Sequence, residues 1–551
     1  MAKLESRVWE WLVASPRRAA LLLGMCAFLF AVPGIGNLDG LGHTDEHFYL
    51  SIAADTYDTG HVAPTHDGDY VFQKPPLVFW LARLCMAALG RTGAAARLPG
   101  AIAAGLLVAG GTLFAAEVAG AAAAPLAGAY LLGSLALARF DRVMMLDLPL
   151  AACLGFALWA FARAVRDRGR LSPGATLVAG ALASASLGIK GPIGVAVLTL
   201  AALIALTRER RLDLLRSGRF WLGVALGLGV SAPWYAWAIT THPHEFFAFH
   251  IQEQYLSRFE SDHGQSRWNL LWGTLLYAAP FWPFAAVAAL RPRSGVRWPW
   301  VAGWLVAFYG IFLLPKEHGL HYPLLVLIPL ATLAACASPP RWTRLVVSAA
   351  LVGGAVAIGA TMAFPEIPRV PALAAAALAL ASGLSFGSGS SGRSPFGSPG
   401  RAPFGSGPRL ALGALLTGAA ANLAVASLAP VFARPLLSPE AAELGRREPV
   451  ALFWEHPGPY RLSAGWGRDA KEVWGEQALG EAMDRGELIF APDHALRGAP
   501  PALVARLVPV VEWRRARPYL TVADVFGAWK ARDLGALGER CALYRAAPHL
   551  P

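Results

Sequence analysis

Charged residues are scarce in this sequence: only 15% of its 551 residues are Asp, Glu, Lys or Arg. A typical soluble domain has about a quarter of its residues charged. Apolar residues make up 55% of the chain and come in runs of about twenty, which is long enough to cross a bilayer. This combination excludes a soluble enzyme for most of the chain.

Cysteine is also rare, with five residues scattered along the chain at spacings that match no metal site. We therefore expect no disulfide framework. Aromatic residues are abundant, and 19 Trp with 26 Phe exclude a disordered chain. The net charge is +12, but the basic residues lie in short clusters between apolar runs. That pattern indicates cytoplasmic loops of a membrane protein rather than a nucleic-acid-binding surface.

The apolar runs predict thirteen membrane spans, beginning with a retained first helix and a cytoplasmic N-terminus. We assign the short run 76–92 to an interfacial helix, because the arginine-rich loops 166–172, 208–219 and 291–297 then all face the cytoplasm. The predicted spans are 19–36, 97–119, 121–140, 143–165, 173–189, 191–207, 219–240, 269–290, 298–315, 322–338, 341–364, 371–386 and 409–432.

The predicted architecture is an all-α polytopic membrane protein with amphipathic helices on its outer face and a small C-terminal α/β domain. Residues 1–386 form the transmembrane module, with an outer loop at 37–96. Residues 387–408 are rich in Gly, Ser, Pro and Arg and predict a cytoplasmic linker. The last span at 409–432 leads to an outer soluble domain at 433–551. Its short apolar runs predict strands at 450–454, 487–491 and 507–511.

In this topology the unusual polar residues all fall on the outer face. Asp45 and Glu46 follow the first span and precede an amphipathic run from Phe48 to Tyr57. A carboxylate held at the membrane boundary can serve as a general base or bind a metal. The alternative is an ordinary helix start, in which Thr44 or Asp45 caps the helix.

Asp147 lies among apolar residues at a span entrance, where a charge costs about 2.5–3.5 kcal/mol on insertion scales. It must therefore face a cavity or a partner, and Arg142 is the structural alternative as its ion-pair partner. Lys190 precedes a Gly-Pro pair that breaks a long apolar stretch and leaves this cation at the outer surface.

Further cations on this face are Lys74, Arg258 and Lys316. Together with the acids they suit an anionic lipid phosphate, because Lys and Arg bind phosphate through charge-assisted hydrogen bonds. Histidines are also numerous on this face but lack the His-x-x-x-His spacing of a helical zinc site, so we expect no metal and no cofactor. They are His47, His250, His263, His318 and His321.

Taken in order, these residues resemble the membrane-embedded glycosyltransferases of the GT-C fold that use polyprenyl-phosphate sugars. The resemblance covers residues 1–340. It is closest to the bacterial lipid A aminoarabinose transferases and more distant from the dolichyl-phosphate-mannose protein mannosyltransferases. Its motifs are Asp45-Glu46-His47-Phe48-Tyr49, Gln73-Lys74-Pro75-Pro76, Arg97-Leu98-Pro99, the segment from Arg142 to Leu150, Lys190-Gly191-Pro192, Pro233-Trp234-Tyr235, Leu256-Ser257-Arg258-Phe259, and Lys316 with Tyr322-Pro323.

The resemblance implies a polyprenyl-phosphate-linked sugar donor, used on the periplasmic face of a bacterial inner membrane. It implies a catalytic pair, Asp45 and Asp147. The substrate-binding residues predicted from the resemblance and from the charge pattern are Glu46, Lys74, Arg142, Lys190, Arg258, Lys316 and Tyr322. Two positions depart from the family. Gln73 stands where it has Glu and Tyr255 where it has His, and both positions are associated with a bound metal in the aminoarabinose enzymes.

The predicted function is inverting transfer of a sugar to a lipid acceptor such as lipid A. Asp45 takes the acceptor proton, and Lys74 and Arg258 stabilise the leaving phosphate. The expected partners are the donor, a lipid or protein acceptor and the bilayer, without nucleic acid. Two alternatives stay open: a protein O-mannosyltransferase of the same fold and a non-enzymatic lipid or solute transporter. The large outer loop and the lack of a recognisable inverted repeat favour an enzyme.

Overall fold

Helices account for most of the chain in the computed structural model. It describes residues 2–38, 44–167, 169–260, 266–338, 340–361, 369–387, 407–432, 436–516, 527–528, 530–531 and 537–547. The predicted linker at 387–408 lies outside the described residues except at its two ends.

The N-terminal segment forms two helices, Ala2–Val13 and Pro16–Ala31, with a bend of 112° between them. The second helix begins where the sequence provides a start signal, since the Ser15 side chain accepts a hydrogen bond from the Arg18 N–H at 3.4 Å and Pro16 takes the first helical position. The amphipathic first helix was not predicted from the sequence, whereas the second lies within the predicted first span.

The loop that follows is folded around one long helix, Thr44–Thr59, which we call the loop helix. A short antiparallel hairpin comes next, with strands Thr65–His66 and Asp69–Tyr70. Its two-residue turn has positive φ at both Asp67 and Gly68, which suits the twist of a tight hairpin. The helix Leu77–Leu89, predicted as interfacial, then leads to the membrane helices.

Most of the predicted spans contain a single long helix, and the others are broken into shorter pieces. The helical segments that follow the loop are Gly93–Ala119, Ala123–Leu132, Leu135–Phe140, Asp147–Ala164, Pro173–Ala185, Leu187–Lys190, Pro192–Glu209, Leu212–Arg216, Gly218–Thr241, Pro243–Glu245, Phe246–Leu256, Ser257–Glu260, Trp268–Tyr277, Trp282–Leu290, Trp298–Phe312, Tyr322–Val326, Leu327–Cys336, Arg341–Thr361, Arg369–Gly387 and Gly407–Phe432. Phe246–Leu256 is a π-helix, and Leu212–Arg216 and Tyr322–Val326 are 3₁₀ helices.

Within the described residues, seven helices are long and apolar enough to cross a membrane, or nine if each of two bent pairs is one span. One bent pair is the N-terminal one, and the other, Trp268–Tyr277 with Trp282–Leu290, is bent by 108° inside the predicted span 269–290. The prediction of an all-α polytopic membrane protein is confirmed. The count of thirteen spans stays a prediction.

Small residues let the membrane helices approach backbone to backbone. A Cβ on Gly223 would lie 2.1 Å from the carbonyl oxygen of Leu177, and a Cβ on Gly227 would lie 2.1 Å from that of Ala181. Helix Gly218–Thr241 therefore packs directly against Pro173–Ala185, as expected where dispersion rather than the hydrophobic effect holds helices together. This packing positions the broken segment that carries Lys190.

The C-terminal region forms a five-stranded mixed sheet. Strand Val450–Phe453 pairs in parallel with Ala470–Val473 on one side and Leu488–Pro492 on the other, and Gly538–Ala546 and Leu507–Ala516 continue the sheet antiparallel. The helical segments of this region are Pro439–Arg447, Gly458–Ser463, Glu476–Asp484, Asp493–Leu496 and Pro501–Val504. Strand Val450–Phe453 is fully buried, as is usual for a parallel strand covered on both faces.

This C-terminal sheet domain packs directly on the loop helix. The Gly458 N–H donates to the Ser51 hydroxyl at 2.8 Å, and a Cβ at position 458 would lie 2.2 Å from the Ser51 backbone nitrogen. The buried Arg461 guanidinium lies 2.5 Å from Asp67 of the hairpin and 3.6 Å from Asp55 of the loop helix. The domain and the loop therefore share one buried, charged interface.

Candidate active site

A buried ion pair between Asp147 and Lys190 lies at the centre of the candidate site. Asp147 begins its membrane helix, and Lys190 ends a short helix at Gly191, whose positive φ of 76° breaks the chain direction before Pro192. The Lys190 Nζ lies 2.6 Å from Asp147 Oδ1, and the Asp147 side chain is 1% exposed. The structural pairing of Asp147 with Arg142, left open by the sequence, is therefore wrong.

His321 lies between the two predicted catalytic acids. Its Nε2 lies 3.8 Å from Asp45 Oδ2 and 3.9 Å from Asp147 Oδ2. The two carboxylates differ sharply in access to solvent, since the Asp45 side chain is 43% exposed. Asp45 is thus the acid that an incoming substrate can reach, while Asp147 is the acid that holds Lys190.

A second polar cluster surrounds Tyr322. The Arg258 guanidinium donates to the Tyr322 hydroxyl and lies 3.2 Å from Glu317 Oε1. The Lys190 ammonium lies 5.5 Å from the centroid of the Tyr322 ring, within the range of a cation–π contact. Tyr322 therefore connects the Arg258 cluster to the Asp147–Lys190 pair.

Lys74 completes the set of cations. Its ammonium donates to the side-chain oxygen of Gln254. Burial, together with the nearby charges of Lys190 and Arg258, lowers the pKa of Lys74 to about 7, against the opposing effect of Asp45 and Asp147. Lys190 and Arg258 thus both repel Lys74 next to two carboxylates, and an added anion would relieve this repulsion.

Three of the predicted substrate-binding residues are placed elsewhere. Glu46 is fully buried, binds Arg97 through both oxygens at 2.6 and 2.9 Å, and accepts the Met144 N–H at 2.8 Å. It stabilises the fold and is closed to substrate in this structure.

Arg142 and Lys316 also face structural partners. Arg142 lies 3.2 Å from Asp141 and donates to the Phe30 carbonyl at 2.8 Å and to the Asn422 side chain, so it ties three helical segments together. The exposed Lys316 donates from its ammonium to the Glu260 carbonyl at 2.9 Å. Its backbone N–H donates to the Arg258 carbonyl at 2.7 Å, which positions the segment that carries Arg258.

Sequence reasoning gave no role to Glu317, His321 or Gln254. His321 was placed among the histidines of the outer face, but nothing in the sequence indicated that it would lie between two acids or that Glu317 would bind Arg258. Gln254 carries no charge and had no signal at all. Its contact with Lys74 spans 180 residues of sequence.

At the position associated with a metal in the aminoarabinose enzymes, this chain has poor metal ligands. Gln73 offers a neutral amide and Tyr255 a phenol, in place of a carboxylate and an imidazole. The Tyr255 hydroxyl is pressed against Gly191, where a Cβ would lie 2.3 Å away. The neighbouring His250 is buried, and its Nδ1 lies 2.8 Å from the Phe72 carbonyl oxygen. These residues do not fit a metal ion, and no step of the mechanism is assigned to one.

Comparison with known proteins shows what the chain as a whole is similar to. The family described as dolichyl-phosphate-mannose-protein mannosyltransferase matches residues 73–237. The undecaprenyl phosphate-alpha-4-amino-4-deoxy-L-arabinose arabinosyl transferase of Pseudomonas savastanoi pv. phaseolicola is 29% identical over 330 residues, 58% of this chain. The match spans 61% of that relative's length.

Two solved structures share the fold over nearly the whole chain. ArnT from Cupriavidus metallidurans bound to undecaprenyl phosphate has a TM-score of 0.67 at 18% identity, covering 96% of this chain and 99% of that one. The apo state of the same protein has a TM-score of 0.68 and covers 97% and 100%. These relatives and the apolar helices indicate a bacterial inner membrane protein. The predicted resemblance is confirmed: the chain has the GT-C fold of ArnT and resembles the polyprenyl-phosphate-sugar glycosyltransferases.

Proposed function

We propose that this protein is an inverting glycosyltransferase that moves a sugar from a polyprenyl phosphate carrier to an acceptor at the periplasmic face of the inner membrane. The observation that carries the proposal is the grouping of Lys74, Lys190 and Arg258 with two carboxylates, the buried Asp147 and the partly exposed Asp45. Cations in a partly dry site bind a lipid phosphate, and a carboxylate beside them can accept a proton from the attacking group.

In the proposed reaction an acceptor oxygen attacks the anomeric carbon of the sugar. The bond to the phosphate oxygen breaks, and polyprenyl phosphate leaves with the bonding electrons. Asp45 takes the acceptor proton, so one direct displacement inverts the anomeric centre. The leaving phosphate is a stable anion and needs positive charge rather than a proton, which Lys74 and Arg258 supply.

The buried groups hold these residues in place. Lys190 neutralises Asp147, and His321 lies between Asp147 and Asp45. We assign His321 to orienting the Asp45 carboxylate toward the acceptor, and Tyr322 to fixing the Arg258 guanidinium. A site preorganised in this way needs little rearrangement when charge moves to the leaving phosphate.

The proposed acceptor is a lipid of the lipid A type, and the proposed sugar is aminoarabinose. The name of the curated relative supports the choice of sugar and carrier. The lipid A acceptor rests on the resemblance to the aminoarabinose transferases. A protein hydroxyl is the second candidate, favoured by the family that matches residues 73–237. Both acceptors present an oxygen nucleophile to the same carboxylate, so substrate trials distinguish them.

The experiment is sugar transfer by the purified protein in nanodiscs, from a panel of polyprenyl-phosphate sugars to lipid A or to a Ser/Thr-rich peptide. The variant is Asp45→Asn, and the matched control is Asp69→Asn, which changes an exposed acid of the same loop. Transfer that only Asp45→Asn loses supports the proposal. Equal transfer by Asp45→Asn and wild type overturns Asp45 as the base, and a folded wild type that neither binds nor consumes any donor in the panel overturns the function.

A further inference from the structure

A second cluster of titratable side chains lies outside the candidate active site, between the hairpin and the C-terminal sheet domain. The hairpin contributes His66, and the sheet domain contributes His456 and Glu472. His456 Nδ1 lies 2.6 Å from Glu472 Oε2, and His66 Nδ1 lies 3.6 Å from Glu472 Oε1. One potential ligand atom from each side chain falls within 4.8 Å of the others.

Hydrogen bonds among the three side chains leave one imidazole unsatisfied. The contact of His66 Nδ1 with Glu472 is too long for a hydrogen bond. Its Nε2 is buried and has no hydrogen-bond partner among the described residues. A buried polar group without a partner is costly, and such a group in a native structure calls for a specific explanation.

The three side chains form a donor set that suits zinc. Zinc binds imidazole nitrogen at 2.0–2.1 Å and carboxylate oxygen at about 2.0–2.2 Å, so tetrahedral ligand atoms lie about 3.3 Å apart. The two printed contacts, 2.6 Å and 3.6 Å, lie on either side of that spacing, and one ligand atom from each side chain lies within 4.8 Å of the others, so side-chain rotation would bring them onto one ion. The side chains of His66, Glu472 and His456 are 11%, 18% and 21% exposed, so an ion can reach them from solvent.

The surroundings hold the cluster from both sides. The Glu472 N–H donates to Asp67 Oδ2 at 3.2 Å, while Asp67 Oδ1 binds Arg461. The ring of Phe48, on the loop helix, lies 5.4 Å from each of the two imidazole rings. Such outer contacts orient metal ligands and raise affinity.

We propose that His66, His456 and Glu472 bind one divalent cation of the zinc type, which joins the hairpin of the loop to the C-terminal sheet domain. With three protein ligands the fourth position is left to water. The ion joins two parts of the chain: it fixes the hairpin against the sheet domain and, through Phe48, holds the loop helix three residues from Asp45. This site is separate from the position at Gln73 and Tyr255, where the family's metal does not fit.

The test is zinc retention by the full-length protein in nanodiscs, after removal of any polyhistidine tag and stripping with chelator. Zinc chloride is added, unbound metal is removed by desalting, and bound zinc is measured by mass spectrometry. Wild type should retain one zinc per chain. His456→Ala, Glu472→Gln and His66→Phe should each bind zinc more than about tenfold more weakly. The last two preserve side-chain shape, so they address the proposal even if His456→Ala folds poorly.

His61→Ala is the matched control, because His61 is an exposed histidine of the same loop outside the cluster. It should retain zinc like wild type. Zinc should also raise the melting temperature of wild type and of His61→Ala, but not of Glu472→Gln. A folded wild type that retains no zinc overturns the proposal, and so does equal retention by wild type and Glu472→Gln. Neither measurement requires a sugar donor, so failure here is distinct from failure of the proposed transfer activity.

Discussion

Asp45 and Glu46 are neighbours on one helix, yet the structure gives them opposite environments. Glu46 is fully buried, and both of its oxygens are bound by Arg97 and by a backbone N–H. Asp45 is 43% exposed and lies beside His321. The Glu46 carboxylate binds the loop helix to the membrane helices, and the adjacent Asp45 carboxylate remains accessible to substrate. Paired acids at a membrane boundary therefore need not share a role.

Removing the charge of Asp45, the accessible acid of the two, should have the largest effect on transfer. The expected loss for Asp45→Asn is about 10²–10⁴-fold in rate, because a general base contributes that much. The melting temperature should stay near that of wild type, since 43% of the side chain is exposed. The check is transfer rate and thermal unfolding on the same preparation, and a strongly lowered melting temperature would assign Asp45 a structural role instead.

Removing the charge of Glu46, the buried acid of the two, should affect the stability of the fold. Glu46→Gln leaves the Arg97 guanidinium buried without a charged partner, which should cost about 3–5 kcal/mol of folding stability. The measurement is thermal or denaturant unfolding in detergent. The double variant Glu46→Leu with Arg97→Met removes both charges and should recover much of the loss. If Glu46→Gln keeps full stability but loses donor binding, the sequence prediction that Glu46 binds substrate is right after all.

Cations can be compared in the same way, because Arg258 and Lys316 lie on neighbouring segments but face different partners. Arg258→Met should lower transfer by about 10²–10³-fold if its guanidinium stabilises the leaving phosphate. Lys316→Met should lower it less, since its ammonium binds the Glu260 carbonyl. Steady-state kinetics with varied donor would show both effects. A larger loss for Lys316→Met would mean that the ammonium turns toward the donor.

The smallest expected effect is a pH dependence that comes from Lys74. Its pKa is lowered to about 7, so the free protein loses this positive charge as pH rises through neutrality. A bound phosphate favours the charged form, so donor affinity should be highest below pH 7 and fall about tenfold between pH 6 and 8. Lys74→Arg should flatten this profile, because arginine stays charged. Donor-binding isotherms at several pH values provide the measurement, and an unchanged slope in Lys74→Arg would assign the titration to another group.

The class of fold could be predicted from the sequence, because it follows from apolar run length. The placement of the polar residues on the outer face follows from the charge of the intervening loops and stays a prediction, although the structure brings Asp45, Asp147 and Lys190 together. The sequence also identified Asp147, because a charge at membrane depth costs free energy and needs a partner. It identified Lys190 because the Gly-Pro pair that follows breaks the apolar stretch and leaves this cation at its end. The bend inside 269–290 and the perpendicular first helix were missed, because run length does not report where a helix breaks.

Pairings could not be predicted from the sequence, and they decide the roles. Arg142 binds Asp141, its neighbour in the sequence, while Asp147 pairs with Lys190, which lies 43 residues away. Glu46 and Asp45 carry the same charge and are adjacent in the sequence, so their different roles depend on the position of Arg97, which binds Glu46. Topology predicts which side of the membrane a residue faces, whereas its neighbour on that side depends on helix packing.

The contact between Gly458 and Ser51 has a consequence for how the protein can be controlled. The Gly458 backbone lies directly against the Ser51 backbone and donates to the Ser51 hydroxyl, so the sheet domain and the loop helix cannot slide past one another without breaking this contact. A displacement of the sheet domain would pull directly on the helix that carries Asp45. An antibody fragment that tilts this domain would therefore displace the helix that carries Asp45 without binding at the candidate active site.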